Sequence, residues 1–165
     1  MPTLKERLKS GECLFGGWLN LASPMTAEAM GLAGFDWIGI DMEHGPGDFM
    51  TLVGQLHALQ GAAAPTLVRV AANDPVIVKR TLDAGAGGVV VPLVSSPAEA
   101  EAAVRATKYP PDGIRGIAKG TRAARFGAGF SDYYATANEK LLTVIQIETS
   151  GAIETVEEIA KVSGI

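Results

Sequence analysis

The feature that most constrains the fold is a repeated alternation between short apolar runs and stretches with helical patterning. The apolar runs have the length of β-strands and are nearly continuous, without regular polar interruptions. Strands of this kind are buried on both faces, which is typical of a parallel sheet covered by helices. The predicted strands are residues 14–21, 37–41, 66–70, 88–93 and 141–148. The predicted helices are residues 1–10, 25–34, 48–59, 74–85, 96–108, 133–139 and 152–162.

Two parallel architectures fit this alternation, an open doubly wound sheet and a (β/α)8 TIM barrel. A barrel builds its active site from the carboxyl ends of several strands, whereas an open sheet concentrates its ligand at one switch point. The glycine-rich segment 85–88 precedes a strand, so we interpret it as a helix cap and turn, not a phosphate loop. We expect an α/β protein of the barrel type because polar residues gather at several predicted strand ends: Asn20, residues 41–44, Arg69, Gln146 and Glu148.

The length of the chain limits how much of a barrel it can form. The chain has 165 residues, whereas eight units need about 250. We therefore expect residues 1–165 to form a partial barrel domain with about the first five units, ending before a sixth strand. Such a portion leaves two sheet edges unpaired, so the remaining strands are expected from a longer protein.

Composition excludes several classes of partner. The chain is 47% apolar and carries a formal charge of −4 at pH 7, which gives no basic field for nucleic acid or an anionic membrane. It has neither a signal-peptide core nor an apolar run near the roughly 18 residues of a membrane span. The single cysteine, Cys13, cannot form an internal disulfide. We expect a soluble cytoplasmic protein with no nucleic-acid or membrane partner.

Two basic side chains near strand ends are candidates for chemistry. His44 follows a predicted buried strand in a Gly-Pro turn, a position suited to proton transfer near neutral pH. The alternative is a loop histidine bonded to backbone, and His57, within a helix, is expected to be structural. Arg69 interrupts an apolar strand, and a buried guanidinium needs an anion or a full set of acceptors. That anion is either a ligand oxygen or a carboxylate on a neighbouring strand.

The last predicted strand carries two further candidates. Its alternation places Gln146 and Glu148 on the inner face, near the mouth of the barrel. Glu148 could bind a hard divalent cation while the Gln146 amide holds a substrate oxygen. At least one further ligand would be needed, and the alternative for Glu148 is an ion pair with Arg69.

A set of motifs makes the interpretation more specific. In order along the chain stand GFDWIGIDMEHGP, VRVAANDP, LDAGAGGVVVPLV, ATKYPPDGIRG and VIQIET. Together they resemble the HpcH/HpaI family of class II pyruvate aldolases, which includes 4-hydroxy-2-oxoheptanedioate and 2-dehydro-3-deoxyglucarate aldolases. The resemblance implies a TIM-barrel carbon–carbon lyase. It would cleave a 4-hydroxy-2-oxo acid to pyruvate, or a similar 2-oxo acid, and an aldehyde through a metal-stabilised enolate.

The resemblance also implies roles for individual residues. His44 would be the general base, Arg69 the transition-state stabiliser, Gln146 a substrate contact and Glu148 a ligand of Mg, Mn or Co. Asp83 would be the carboxylate that raises the basicity of the histidine. Because Asp83 is expected at the opposite end of the barrel, it would act on His44 of the partner subunit. A homo-oligomer with sites near subunit interfaces is therefore expected.

The chain also departs from the family pattern. Family members carry a Gly-Pro-x-Asp-Leu segment after the sixth strand, which supplies a second metal carboxylate, and the sequence ends before it. We therefore expect this chain alone to bind metal weakly and to be inactive or nearly so. The alternatives are a non-catalytic half-barrel interaction module and a phosphosugar-processing TIM-barrel enzyme. Lys119 leaves a Schiff-base route open, and three arginines either face an acidic aldehyde tail or are solvated: Arg115, Arg122 and Arg125.

Overall fold

The computed structural model describes residues 2–165, which contain one parallel sheet of five strands. The strands are β1 (Gly16–Leu19), β2 (Trp37–Asp41), β3 (Thr66–Arg69), β4 (Gly88–Val91) and β5 (Leu142–Ile145). Each strand pairs with the next one along the chain, so the spatial order is β1-β2-β3-β4-β5. A doubly wound sheet reverses this order at a switch point, and no reversal occurs between these strands. The sequential order confirms the α/β fold expected of a partial barrel.

Most helices connect the strands or follow the last one and pack on the outer face of the sheet, whereas the first helix precedes β1 and contributes Leu4 to the inner face. The helices are α1 (Leu4–Lys9), α2 (Pro24–Gly31), α3 (Phe49–Ala58), α4 (Pro75–Asp83), α5 (Pro97–Thr107), α6 (Phe130–Lys140), α7 (Ser150–Glu154) and α8 (Val156–Ile159). A 3₁₀ turn at Arg125–Gly127 precedes α6. Several helices begin after a polar N-cap residue, as expected. At the start of α4, the Asp74 carboxylate accepts the backbone N–H groups of Val76 and Ile77. Within residues 2–165, no helix has the length and apolar character needed to cross a bilayer.

Several predicted boundaries differ from the observed ones. The predicted strands 14–21, 88–93 and 141–148 are longer than β1, β4 and β5. Leu93, two residues after β4, adopts a positive φ of 54° that an extended segment does not allow. The predicted helix 152–162 is two short helices, separated at Thr155. The Thr155 hydroxyl donates to the carbonyls of Gly151 and Ser95 there, which ties the break to the loop after β4.

The two faces of the sheet carry separate apolar clusters. The outer cluster packs against the helices and includes Ile38, Ile40, Val68, Val89 and Val91. The inner cluster consists of Leu4, Leu67, Val90 and Leu142, with Leu14, Trp37 and Val144 packed against it. The predicted alternation of the last strand is confirmed, since Leu142 and Val144 face inward and Ile145 belongs to the outer cluster.

Two tryptophans occupy much of the inner face. The rings of Trp18 and Trp37 meet edge to face with centroids 5.9 Å apart. Glycines on the adjoining strands make this possible, because a Cβ atom on Gly16 or Gly39 would collide with one of the two rings. Aromatic side chains therefore fill the inner face toward the amino ends of the strands, and its polar groups lie at the carboxyl ends.

Candidate active site

An ion pair between neighbouring strands forms the base of the site. Arg69 and Asp41 are direct partners in the register of β2 and β3, so both point inward at the same level. The Arg69 Nε and Nη2 atoms donate to the two oxygens of Asp41 at 3.0 and 2.7 Å. This bidentate pairing settles the question left by the sequence, since the partner of Arg69 is a carboxylate on the neighbouring strand. No hydrogen bond in the described chain uses Nη1 of Arg69, and the guanidinium lies 5.3 Å from the Trp18 ring.

Asp41 organises the surrounding groups, and the sequence interpretation did not include it among the site residues. Its fully buried carboxylate also accepts the Asn20 side-chain amide at 2.7 Å and the backbone N–H groups of Glu43 and His44 at 3.1 and 3.2 Å. Burial acts to raise its pKa, but the hydrogen bonds from Arg69 and from the backbone N–H groups outweigh burial and hold that pKa below its usual value. Its position at the end of a buried strand was the available signal.

His44 and Glu43 lie side by side at the rim of the mouth. The His44 side chain is 74% exposed, and its Nε2 atom is 3.7 Å from Oε1 of Glu43. The Glu43 side chain is only 13% exposed, and its Oε2 atom is 3.3 Å from Nε of Arg69. That oxygen is buried and has no hydrogen-bond partner among the described residues. Glu43 therefore connects the arginine to the histidine, a link the sequence interpretation missed.

Gln146 and Glu148 extend the site onto the end of β5. Gln146 lines an inner cavity of about 430 Å³ together with Trp18 and Val144, and its Oε1 atom is buried without a hydrogen-bond partner in the described chain. Glu148 accepts the backbone N–H of Leu93 at 2.8 Å. The predicted alternative, an ion pair between Glu148 and Arg69, is not formed between these described residues, although the charge of Glu148 helps to raise the pKa of Arg69.

The donor set at the mouth suits a hard cation held by few protein ligands. Three carboxylates, those of Asp41, Glu43 and Glu148, face one guanidinium, that of Arg69, so the formal charge of these four groups is −2. Glu43 and Gln146 each add a buried oxygen that accepts no hydrogen bond from the part of the chain that the structure describes. Mg²⁺ commonly binds through one or two carboxylates and keeps several waters. Residues 2–165 contain no group of three or more His, Cys, Asp or Glu side chains that could hold a metal ion, so the chain fits only part of a coordination shell.

Asp83 lies at the other end of the barrel from this cluster. It is the last residue of α4, at the amino end of the sheet, and its Oδ1 atom accepts Nη2 of Arg115 at 2.7 Å. No hydrogen bond or ion pair joins Asp83 to His44 within the described chain. The Arg115 side chain is fully buried against Tyr109 and Tyr133, so the expectation that it faces an aldehyde tail or solvent is wrong.

The other basic side chains considered from the sequence lie outside the mouth. Arg122 donates to the backbone carbonyls of Ala84 and Leu56 at 2.8 and 3.0 Å, and burial lowers its pKa. Lys119 lies 5.6 Å from the ring of Phe130, beside the start of α6. His57 is exposed in the last turn of α3.

Parallel strands in sequential order, with the polar side chains collected at their carboxyl ends, are the architecture of TIM-barrel enzymes. The chain is part of a domain of that class. A family model described as HpcH/HpaI aldolase/citrate lyase matches residues 14–165, and the chain belongs to this family. The resemblance inferred from the sequence motifs is therefore confirmed.

Several known proteins are similar to the chain. A curated relative from Salmonella newport, named 5-keto-4-deoxy-D-glucarate aldolase, is 44% identical over 161 residues; the match covers 98% of the chain and 62% of the relative. An HpcH/HpaI aldolase/citrate lyase family protein from Burkholderia cenocepacia has a TM-score of 0.92 at 43% identity, covering 98% of the chain and 65% of that protein. An HpcH/HpaI aldolase from Desulfitobacterium hafniense has a TM-score of 0.88 at 30% identity, covering 100% and 64%. The chain thus spans about three fifths of the length of these relatives.

Proposed function

We propose that this chain provides the mouth of a carbon–carbon lyase that cleaves a 4-hydroxy-2-oxo acid. The products would be pyruvate, or a similar 2-oxo acid, and an aldehyde. The observation that carries the proposal is the Arg69 guanidinium, which Asp41 fixes in orientation while Nη1 makes no hydrogen bond to any of residues 2–165. Gln146 brings to the same Trp18-lined interior a buried oxygen that has no hydrogen-bond partner within residues 2–165.

Arg69 is suited to stabilise the enolate that forms when the C3–C4 bond breaks. A donor held in place before the reaction need not reorient as negative charge develops on the oxygen. The hydrogen bonds to Asp41, followed by the charges of Glu43 and Glu148, raise the pKa of Arg69 and keep it cationic. Gln146 would contact the substrate, because its buried amide oxygen has no donor among the described residues and a substrate hydroxyl can supply one.

His44 is suited to remove the proton of the 4-hydroxyl group. Its exposed ring lies at the rim, where a bound substrate would extend out of the barrel. As the proton leaves, the oxygen forms the carbonyl of the aldehyde, and the electron pair of the C3–C4 bond passes to the 2-oxo acid as an enolate. In the reverse direction, the same imidazole returns the proton to the new hydroxyl group.

Glu148 is the residue of this chain that would hold a divalent cation, which we propose to be Mg, Mn or Co. The backbone N–H of Leu93 fixes one carboxylate oxygen, and the formal charge of −2 at the mouth matches a doubly charged ion. When bound, such a cation supplies Lewis-acid chemistry to the 2-oxo group. Water and substrate oxygens would complete its shell, since the described residues offer too few ligands.

Asp83 would act between subunits of a homo-oligomer. Within one chain it lies at the amino end of the sheet and binds Arg115, whereas the mouth lies at the carboxyl end. A contact with His44 of the partner subunit would require the amino end of the sheet in one chain to pack against the mouth of the other. The support for this role is the family membership together with the exposed fraction of the Asp83 side chain, which is 20%.

The substrate class follows from the relatives. A protein 44% identical to this chain is named 5-keto-4-deoxy-D-glucarate aldolase, and that name describes a deoxy sugar acid with a keto group. We propose a substrate of this chemical kind, with a 2-oxo acid at the cleaved end and a polar hydroxylated or acidic aldehyde at the other.

The test is aldol cleavage by a fusion in which the chain replaces its matched segment in the Salmonella newport relative. The fusion supplies the 38% of that relative that the chain does not match, because the match covers 62% of it. We expect cleavage that Mn²⁺ supports, that EDTA abolishes, and that falls at least about a hundredfold in Arg69→Ala. The matched control is Arg105→Ala on the exposed side of α5, which should retain activity. A folded fusion without cleavage, or an Arg69→Ala variant with full activity, would contradict the proposal.

The 165-residue chain assayed alone is expected to turn over slowly. Its described residues lack a full set of metal ligands. Cleavage by the chain alone at a rate near that of the fusion would show that the described residues suffice.

A further inference from the structure

We propose that the hydroxyl groups of Ser95 and Thr149 form a latch that positions Glu148 for a divalent cation. Both are positioning residues, because they act through the carboxylate and touch neither the cation nor the substrate. The inference rests on the proposed role of Glu148 as a ligand of that cation. It is carried by a set of hydrogen bonds that joins the loop after β4 (residues 92–96) to the loop after β5 (residues 146–149).

Two adjacent residues of the loop after β5 are bound through their side chains to the loop after β4. Oε1 of Glu148 accepts the backbone N–H of Leu93 at 2.8 Å. The hydroxyl oxygens of Ser95 and Thr149 are 3.0 Å apart, so one hydroxyl donates to the other. Because both bonds join the same two short segments, the hydroxyl pair fixes the backbone on which the carboxylate contact depends.

Ser95 is the residue that attaches the short helix α7 to the loop after β4. Thr149 caps α7 by accepting the backbone N–H of Ala152 at 3.1 Å, and Thr155 follows the last residue of the helix. The Thr155 hydroxyl donates to the Ser95 carbonyl at 3.4 Å. Hydroxyl groups at both ends of α7 therefore bind the same residue. The Ser95 backbone N–H donates in turn to Oε2 of Glu99 at 2.7 Å, which ties the loop to α5.

The conformation of Leu93 needs a restraint of this kind. Leu93 has a φ of 54° and is 60% exposed, whereas the adjacent Val94 is fully buried. A left-handed residue other than glycine persists only where the surrounding structure holds it, and an exposed side chain contributes little packing. The attachment of Ser95, two residues farther along the chain, is the restraint that keeps the Leu93 N–H directed at Glu148.

The latch increases the affinity for a cation by reducing the freedom of Glu148. The bond from Leu93 uses Oε1 alone, which leaves Oε2 for the cation. Glu148 is exposed, so without this bond its side chain has more rotamer freedom to lose on binding. Removing a group that hydrogen-bonds to a metal ligand typically weakens metal binding about 10–100-fold. The two hydroxyl groups lie one step farther from the cation, so their effect is smaller.

The experiment compares three single substitutions in the fusion that the aldolase assay uses. Ser95→Ala removes the latch hydroxyl and keeps the backbone hydrogen bonds of that residue. Ser95→Thr retains a hydroxyl group and should restore the wild-type behaviour. Ser96→Ala is the matched control, because the Ser96 hydroxyl accepts the Glu99 backbone N–H and makes no hydrogen bond to residues 146–149. The control weakens a helix cap at the adjacent position and leaves the latch intact.

The first measurement is hydrogen exchange of the Leu93 amide in the absence of any cation. Mass spectrometry with electron-transfer fragmentation reads this amide separately. It exchanges when its bond to Glu148 opens, so the rate reports how firmly that bond is held. We expect Ser95→Ala to accelerate exchange by about fivefold, the equilibrium factor for one hydrogen bond of typical net strength. Ser95→Thr and Ser96→Ala should keep the wild-type rate.

The second measurement is the affinity for Mn²⁺, obtained from the electron paramagnetic resonance signal of the free ion. We expect the wild-type fusion to bind Mn²⁺ and Ser95→Ala to raise the dissociation constant by about fivefold. Ser95→Thr and Ser96→Ala should match the wild type. Neither measurement depends on turnover, so both give a result even in a fusion without aldolase activity.

Two results would overturn the latch and leave the role of Glu148 untouched. One is an unchanged Leu93 exchange rate in Ser95→Ala. The other is the same acceleration in Ser96→Ala, which would mean that the start of α5 loosens generally. Faster exchange with unchanged Mn²⁺ affinity in Ser95→Ala would overturn the link between the latch and the cation. A wild-type fusion that binds no Mn²⁺ would contradict the proposed role of Glu148 itself, and with it the purpose of the latch.

Discussion

Replacing Asp41 with Asn tests whether the mouth is organised by one buried carboxylate. The Asp41 oxygens accept from five donors: the Asn20 amide, Nε and Nη2 of Arg69, and the backbone N–H groups of Glu43 and His44. An asparagine has the same shape but only one acceptor oxygen, and its NH₂ group must face either two or three of these donors. At least two buried donors therefore lose their acceptor.

The expected cost follows from the burial of this pair. Breaking a buried ion pair by removing one partner typically costs about 3–5 kcal/mol. Arg69 is 17% exposed and keeps Glu43 at 3.3 Å, so part of its charge remains compensated. We therefore expect the lower end, a loss of about 3 kcal/mol in the free energy of unfolding at pH 7. The same substitution at Asp48 is the control, because that residue caps α3 and asparagine caps equally well.

Urea unfolding at several pH values measures this loss and its origin. Hydrogen bonds hold the pKa of Asp41 below its usual value against the opposing effect of burial. A carboxylate of this kind stabilises the fold above its unfolded pKa of about 3.9, and the contribution is lost as the pH falls through its folded value. The gap between wild type and Asp41→Asn should be full at pH 7 and should narrow below about pH 4. A loss under about 1 kcal/mol, or a gap independent of pH, would refute the reasoning.

Three further predictions concern residues outside the ion pair. Asp83→Asn should cost about 3 kcal/mol, more than Arg115→Met, because only the first leaves a fully buried cation without its partner; urea midpoints at pH 7 decide the order. Leu93→Val should lower stability by about 1 kcal/mol relative to Leu93→Asn, because a β-branched side chain disfavours the observed φ of 54° and asparagine tolerates it. Burial raises the pKa of Tyr109 to about 12, so wild-type stability should fall between about pH 10 and 12. Tyr109→Phe should abolish that component of the alkaline titration measured by tyrosine absorbance.

Patterns within single segments made much of the fold predictable. The strands were found from continuous apolar runs, and alternation along the last strand correctly placed Leu142 and Val144 inward and Ile145 outward. The position of His44 directly after a strand placed it at the mouth. Each of these inferences needs only the periodicity within one segment and the rule that the carboxyl ends of parallel strands lie at the same edge of the sheet.

Contacts between segments were the part that the sequence could not supply. The pairing of Asp41 with Arg69 depends on the register of β2 against β3, and a shift by one residue would turn one of them outward. Arg115 lies in a long connection without periodicity, so its burial against Tyr109 and Tyr133 had no local signal. The separation of Asp83 from the mouth followed from chain direction, whereas its pairing with Arg115 did not.

The way in which the carboxylates are held explains how the mouth keeps its negative charge. Asp41 and Glu148 each accept backbone N–H groups, from residues 43 and 44 and from Leu93 respectively. Such donors stabilise an anion as dipoles and leave its formal charge unchanged. The Arg69 guanidinium compensates the charge of Asp41, whereas no cation forms an ion pair with Glu148 among the described residues. The Leu93 donor comes from a left-handed backbone that costs about 1–2 kcal/mol for a residue other than glycine. Leu93 thus keeps a strained backbone conformation while its N–H group holds the Glu148 carboxylate, which fits the role that we propose for this residue in holding a cation.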